Sequence, residues 1–341
     1  MPHESAPAPA PESALVLRES QSLVVADQRH CRELLRVGSR SFTAASWLLP
    51  ARLRPPVTAF YAFCRVADDA IDLSDDPVAS LAELQRRVDA IYAGTPQPDP
   101  VDRAFCRVVH DAQIPRPLVD ALLEGFAWDL EDCRYETLEQ TLAYAARVAS
   151  VVGVVMTLIM GVREPQTLAR ACDLGAAMQL TNIARDVGED ARLGRLYLPG
   201  QWLREEGVDP EQFLADPTAS PGVCRAVARL LVEASRLYER SDAGIHELPR
   251  DCRPAMRAAA LIYGDIGRVI ARRGHDSVTG RAHTSTPRKL WLLARAWLGQ
   301  ARRDATAWSE PPLPEFAFLV DAVHSQSASS TPSLALAGAV P

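Results

Sequence analysis

Lysine is almost missing from this chain: among 37 basic residues only Lys289 is a lysine, and the other 36 are arginines. That skew is what a biased nucleotide composition would give, and no chemistry is read into it. Other absences exclude more. The seven cysteines (Cys31, Cys64, Cys106, Cys133, Cys172, Cys224 and Cys252) are scattered, odd in number and never spaced Cys-x-x-Cys. A disulfide framework or zinc site is therefore excluded, and a reducing cytoplasm is expected. The seven histidines fall at no metal-ligand spacing. No basic-then-apolar leader opens the sequence and no run of about eighteen apolar residues marks a membrane span. No Gly-x-Gly-x-x-Gly fingerprint occurs, an absence that does not by itself exclude a nicotinamide, and none is expected as cofactor. With a net charge of −6, nucleic acid is not an expected partner.

Strand-like alternation is also scarce. At 48% hydrophobic, the 341 residues can bury a large core. Long Ala/Leu/Arg-rich stretches carry apolar residues at helical spacing, and proline and glycine fall at their ends. This predicts an all-α fold with a single domain over residues 21–310. Residues 1–20 and the end of the segment 311–341, rich in Pro, Ser and Ala, lack periodicity and are expected to be disordered. The stretch VASVVGVVMTLIM, Val148 to Met160, is apolar nearly all round and should be central. Within it Gly153 marks close packing or room for a ligand, since glycine in a helix interior costs roughly 1 kcal/mol against alanine.

Two acidic clusters dominate the chemistry. Asp68, Asp69 and Asp72 lie in YAFCRVADDAID, and Asp186, Glu189 and Asp190 end QLTNIARDVGED. On helices, Asp68 lies over Asp72 and Asp186 over Asp190. Like charges at that spacing destabilise an isolated helix by roughly 0.2–0.5 kcal/mol per pair unless a cation intervenes. Asn182 extends the second ladder with an amide oxygen, and Gln179 shares its face. Arg65 and Arg185 place guanidinium forks where phosphate oxygens would sit. Magnesium takes one or two carboxylates, keeps waters and fills its shell with substrate phosphate oxygens. Opposed across a cleft, Asp68, Asp72, Asn182, Asp186 and Asp190 are thus expected to hold Mg²⁺, with Mn²⁺ a substitute, on a diphosphate. Ser39 and Ser41, flanking Arg40, are further diphosphate donors or a helix cap.

The runs SRSFTAASWLLP, YAFCRVADDAID, YAARVASVVG and QLTNIARDVGEDARLGRLYLP resemble the signature segments of the squalene and phytoene synthase family, most closely its bacterial phytoene-forming members. The resemblance covers roughly residues 28 to 305. It implies an isoprenoid synthase fold and head-to-head condensation of two geranylgeranyl diphosphates through a cyclopropyl diphosphate, the first committed step of carotenoid biosynthesis. It implies catalytic roles for Arg65, Asp68, Asp72, Asp186 and Asp190, and places Tyr144 near the reacting carbons. It puts Phe42, Ser46, Val148 and Gly153 on a tunnel for the isoprenoid tails. Tyr61 and Tyr263 join the substrate-binding set, and Arg281 falls where a late basic residue reaches the second diphosphate. Two alternatives stay open: a squalene or dehydrosqualene synthase acting on farnesyl diphosphate, and an inactive relative serving as an assembly protein.

Downstream carotenoid enzymes and a membrane surface are the expected partners, since the substrate tails and the product are apolar; the protein would be cytoplasmic and peripheral to the inner membrane. The segment RKLWLLARAWLGQARR, Arg288 to Arg303, has apolar residues at helical spacing among basic ones. It suits either a membrane-surface helix or a core-packing helix.

Overall fold

The computed structural model describes the backbone of residues 11–38, 48–131, 133–299 and 304–329, and their side chains apart from 11–20, 38, 72 and 326–329. Ser39, Ser41, Phe42 and Ser46 lie outside the described residues, as does the side chain of Asp72. Among the described residues there is no strand.

The helices follow in order: α1 Pro11–Gly38, α2 Arg54–Asp72, α3 Pro77–Tyr92, α4 Pro100–Asp111, α5 Arg116–Leu130, α6 Leu138–Ala145, a π-helical turn Ala146–Ser150, α7 Val151–Ile159 and α8 Pro165–Arg192. The short α9 Gly200–Glu205 and α10 Pro210–Ala215 lead to α11 Pro221–Glu247, α12 Arg253–Arg272, α13 Thr286–Leu298, α14 Ala305–Ser309 and α15 Pro314–Ser329. Proline occupies the first turn of many of them, where its missing N–H has no intrahelical partner to lose. Asp76, Asp99, Asp209 and Ser220 cap starts by accepting backbone N–H groups of the first turn.

Helix α8 is central. It packs most extensively on α11, and also on the α6–π–α7 rod and on α12. Two glycines permit this closeness. A Cβ on Gly153 would come within 2.4 Å of the Ala171 carbonyl oxygen, and one on Gly175 within 2.5 Å of the Ala149 oxygen. The continuous rod Leu138–Ile159 is long and apolar enough to cross a membrane by length and composition, so the sequence does hold one such stretch; most of it is buried in the bundle.

Two boundaries differ from expectation. Helix α1 begins at Pro11, so helical backbone reaches into the segment expected to be disordered. At the other end α15 belongs to the core: Phe316, Leu319, Val320 and Val323 recur at helical spacing and are buried. Ala307 and Pro311 offer carbonyls to the buried Arg170, and Glu310 pairs with Arg240, so residue 310 marks no domain edge.

Candidate active site

The acidic ladders end two helices that face a common cavity. Its volume is about 300 Å³ and its walls come from four directions. Helix α2 contributes Phe60, Tyr61 and Cys64. The π turn and α7 contribute Val148, Val152, Gly153 and Met156; α8 contributes Leu174, Met178, Gln179 and Asn182; α12 contributes Ala255, Met256, Ala259, Ile262 and Tyr263. The wall is almost wholly apolar until it reaches Gln179, Asn182 and the two tyrosines. One turn past Cys64 on α2 stands Asp68, and one turn past Asn182 on α8 stands Asp186.

On α2, Arg65 pairs with Asp69 at 2.5 Å and with Asp68 at 3.5 Å. On α8, Asp186 is gripped from two sides. Arg185 donates at 2.7 and 2.5 Å, and Arg281 at 2.8 and 3.1 Å while also reaching Glu189 at 3.3 Å. Gly188 makes the second contact possible. Its N–H donates to the Ser277 carbonyl at 3.1 Å, and a Cβ there would meet the Val278 oxygen at 2.5 Å. Only glycine between the two aspartates lets this loop cross the helix closely enough to deliver Arg281. Burial, followed by the charges of Asp186 and Glu189, pushes the Asp190 carboxyl up to about 7.

The donor set suits a hard cation. Asn182, a residue of the cavity wall, gives its amide N–H to Gln179 at 3.3 Å, while its buried carbonyl oxygen has no hydrogen-bond donor. An orphaned oxygen beside two carboxylates is the ligand chemistry that Mg²⁺ uses. Among the described residues no three His, Cys, Asp or Glu side chains converge enough to chelate an ion by themselves. A metal here would therefore complete its shell with ligands from outside these groups, as phosphate oxygens do.

Of the expected residues, Tyr61, Val148, Gly153, Gln179, Asn182 and Tyr263 all line the cavity. Arg65, Asp68, Arg185, Asp186, Asp190 and Arg281 gather in the two charged clusters. Tyr144 does not line the cavity. In an unbroken α-helix it would share the face of Val148 and Val152; the π turn at Ala146–Ser150 breaks that register. Its buried hydroxyl instead donates to Asp129 at 3.0 Å, beside Tyr197, which donates to the other oxygen at 2.8 Å. The two rings stack with centroids 4.9 Å apart, and Tyr135 lies 5.2 Å from Tyr144. Sequence reasoning missed Asp129 and the small wall residues Ala255 and Ala259. The run Trp128-Asp129-Leu130-Glu131 is the only local hint of the first, and nothing local marks the others.

Residues 35–288 match the family model described as squalene/phytoene synthase. The chain belongs to the squalene/phytoene synthase family. It is 53% identical over 309 residues to a phytoene synthase of Rhodobacter capsulatus, covering 87% of this chain and 90% of the relative. It is 42% identical over 299 residues to a 15-cis-phytoene synthase of Enterobacter agglomerans, covering 81% of this chain and all of the relative. A dehydrosqualene synthase crystal structure, 31% identical, superposes with a TM-score of 0.73 over 80% of this chain and 96% of its own. A squalene synthase from Alicyclobacillus acidocaldarius, 26% identical, gives 0.70 over 74% and 96%. The all-helical bundle is the isoprenoid synthase fold of this family, whose members use divalent metals with prenyl diphosphates.

Proposed function

We infer that this chain is a phytoene synthase that joins two geranylgeranyl diphosphates head to head. The observation that carries this reading is the apolar cavity with a carboxylate-and-arginine cluster one helical turn beyond its wall on each of α2 and α8. The names of relatives that share about half its residues support it. In the first half-reaction the allylic C–O bond of one substrate breaks, and its diphosphate leaves with the electron pair. The double bond of the second substrate attacks the cation, and loss of a proton closes a cyclopropyl diphosphate. In the second half, the remaining diphosphate leaves, the carbon skeleton rearranges, and loss of another proton forms the central double bond.

Arg65, Arg185 and Arg281 hold the departing phosphate oxygens, and Gln179 accepts from the Asn182 amide N–H, which leaves the Asn182 oxygen for a ligand. Asp68, Asp72, Asn182, Asp186 and Asp190 are the residues that would bind Mg²⁺, which when bound neutralises charge on the leaving group. The walls from Phe60 to Ile262 exclude the water that would quench a carbocation.

Farnesyl diphosphate is the competing substrate, since the superposed crystal structures are named for C30 synthases. Product analysis separates the two. Purified protein given C15 or C20 diphosphate with Mg²⁺ is expected to make phytoene from C20 without NADPH, and Asp186→Asn to release no diphosphate. A C30 product from C15 with none from C20 would overturn the reading.

A further inference from the structure

Helix α13 has two apolar faces, and the bundle uses one of them. Leu292 and Ala296 are fully buried against the neighbouring helices. Leu290 is 63% exposed, Trp291 50%, Trp297 67% and Leu298 77%, and Ala294 is exposed among them. At 3.6 residues per turn, Trp297, Leu290, Ala294, Leu298 and Trp291 follow one another around about a third of the helix circumference. A core-packing role accounts for Leu292 and Ala296 and leaves this second arc unexplained. Contiguous exposed apolar surface of this kind marks a contact with something else.

The edge of the arc is cationic. The Arg288 guanidinium stacks over the Trp291 ring at 4.4 Å and Arg295 lies 5.6 Å from its centre. Arg288 is itself fixed by the buried Asp265, with Nη2 at 3.0 Å. The indole is thus held at the surface between two charged groups. Helix α13 carries Arg288, Lys289 and Arg295 and no acidic residue, in a chain whose net charge is −6. A second copy of the same surface would bring those charges together, whereas lipid phosphates would neutralise them. Only α12 separates this helix from the cavity, because α12 packs on α13 and lines the cavity with Ala255, Met256 and Ala259.

We propose that α13 is the face through which this protein docks on an anionic lipid bilayer, with its Leu/Trp arc in the headgroup region and Arg288 and Arg295 against lipid phosphates. The hydrocarbon cavity then lies one helix away from the lipid that dissolves its product. The value of that placement rests on the proposed function; the docking itself does not, and its test involves no turnover.

Flotation of the purified full chain with vesicles of phosphatidylcholine, or of phosphatidylcholine containing phosphatidylglycerol, tests this. The wild type is expected to co-float with the anionic vesicles and to be released by high salt. The Trp291→Ser/Trp297→Ser variant is expected to bind at least about tenfold more weakly, with an unchanged circular dichroism spectrum. If that variant fails to fold, Leu290→Ser/Leu298→Ser makes the same test. Absence of the wild type from the floated fraction would overturn the proposal, and so would undiminished binding by a folded variant. A wild-type dimer that either variant converts to monomer would assign the face to a second copy and overturn it as well.

Discussion

Asn182 shows what a functional side chain costs when its partner is away. A buried acceptor without a donor sacrifices roughly 1–3 kcal/mol of stability, and the Asn182 carbonyl oxygen is in that position. Asn182→Leu would remove the orphan and add apolar contact to the cavity wall. The expected result is a protein that melts at a higher temperature, by about 1 kcal/mol in stability, yet releases no diphosphate. Thermal denaturation and a diphosphate-release assay on the same sample check both halves. Most of this residue-scale site was legible in the sequence, because a four-residue ladder of Asn182, Asp186 and Asp190 has one geometric meaning on a helix. Arg281 is different. Its arrival at Asp186 depends on a loop crossing at Gly188, and no local spacing encodes such a contact; only the family resemblance pointed to it.

At the scale of the element, the family resemblance alone places Tyr144 near the reacting carbons; in the structure it lies off the cavity wall, and the π turn at Ala146–Ser150 separates its face from that of Val148 and Val152. The helix itself, its central position and the tight packing at Gly153 were all readable, since they depend on composition and not on phase. The contact between α8 and α11 holds a second feature that periodicity conceals. Asp173, Arg170 and Arg240 are buried together, with Arg170 at 2.8 Å and Arg240 at 3.1 Å from Asp173. Burial pushes the Asp173 carboxyl up to about 6, against the pull of Arg170 and Arg240. A raised carboxyl pKa means that the folded state holds a proton which the unfolded state has released. Its contribution to stability is therefore full below the unfolded pKa and is lost as pH rises through the folded one. Between about pH 4 and pH 6 the wild type is expected to lose stability relative to Asp173→Asn. Urea denaturation of the two proteins across that range measures the difference, and parallel pH profiles would contradict it.

Over the whole molecule, the all-α class and the single bundle followed from long helical periods broken by proline, and what the sequence obscured was where the bundle ends. The Ser/Ala/Pro bias near residue 325 draws attention from the stripe before it, where Phe316, Leu319, Val320 and Val323 complete the core. Those four side chains close over the α5, α6, π-turn and α8 surfaces, and the residues just before them satisfy Arg170 and Arg240. The C-terminal helix is therefore expected to be structural, with no part in binding substrate: none of its described residues lines the cavity. Phe316→Ala should cost roughly 3–5 kcal/mol, as truncation of a buried aromatic does, a large share of the 5–15 kcal/mol that holds a typical domain together. Turnover per folded molecule should stay close to the wild-type value. Truncation before Glu310 should be far more damaging, because it strips the same stripe and also removes Glu310 and Pro311 from the two buried guanidiniums. Urea midpoints and specific activity of soluble protein distinguish these outcomes. If Phe316→Ala lost turnover while its urea midpoint held, the helix would belong to the active site and not to the frame around it.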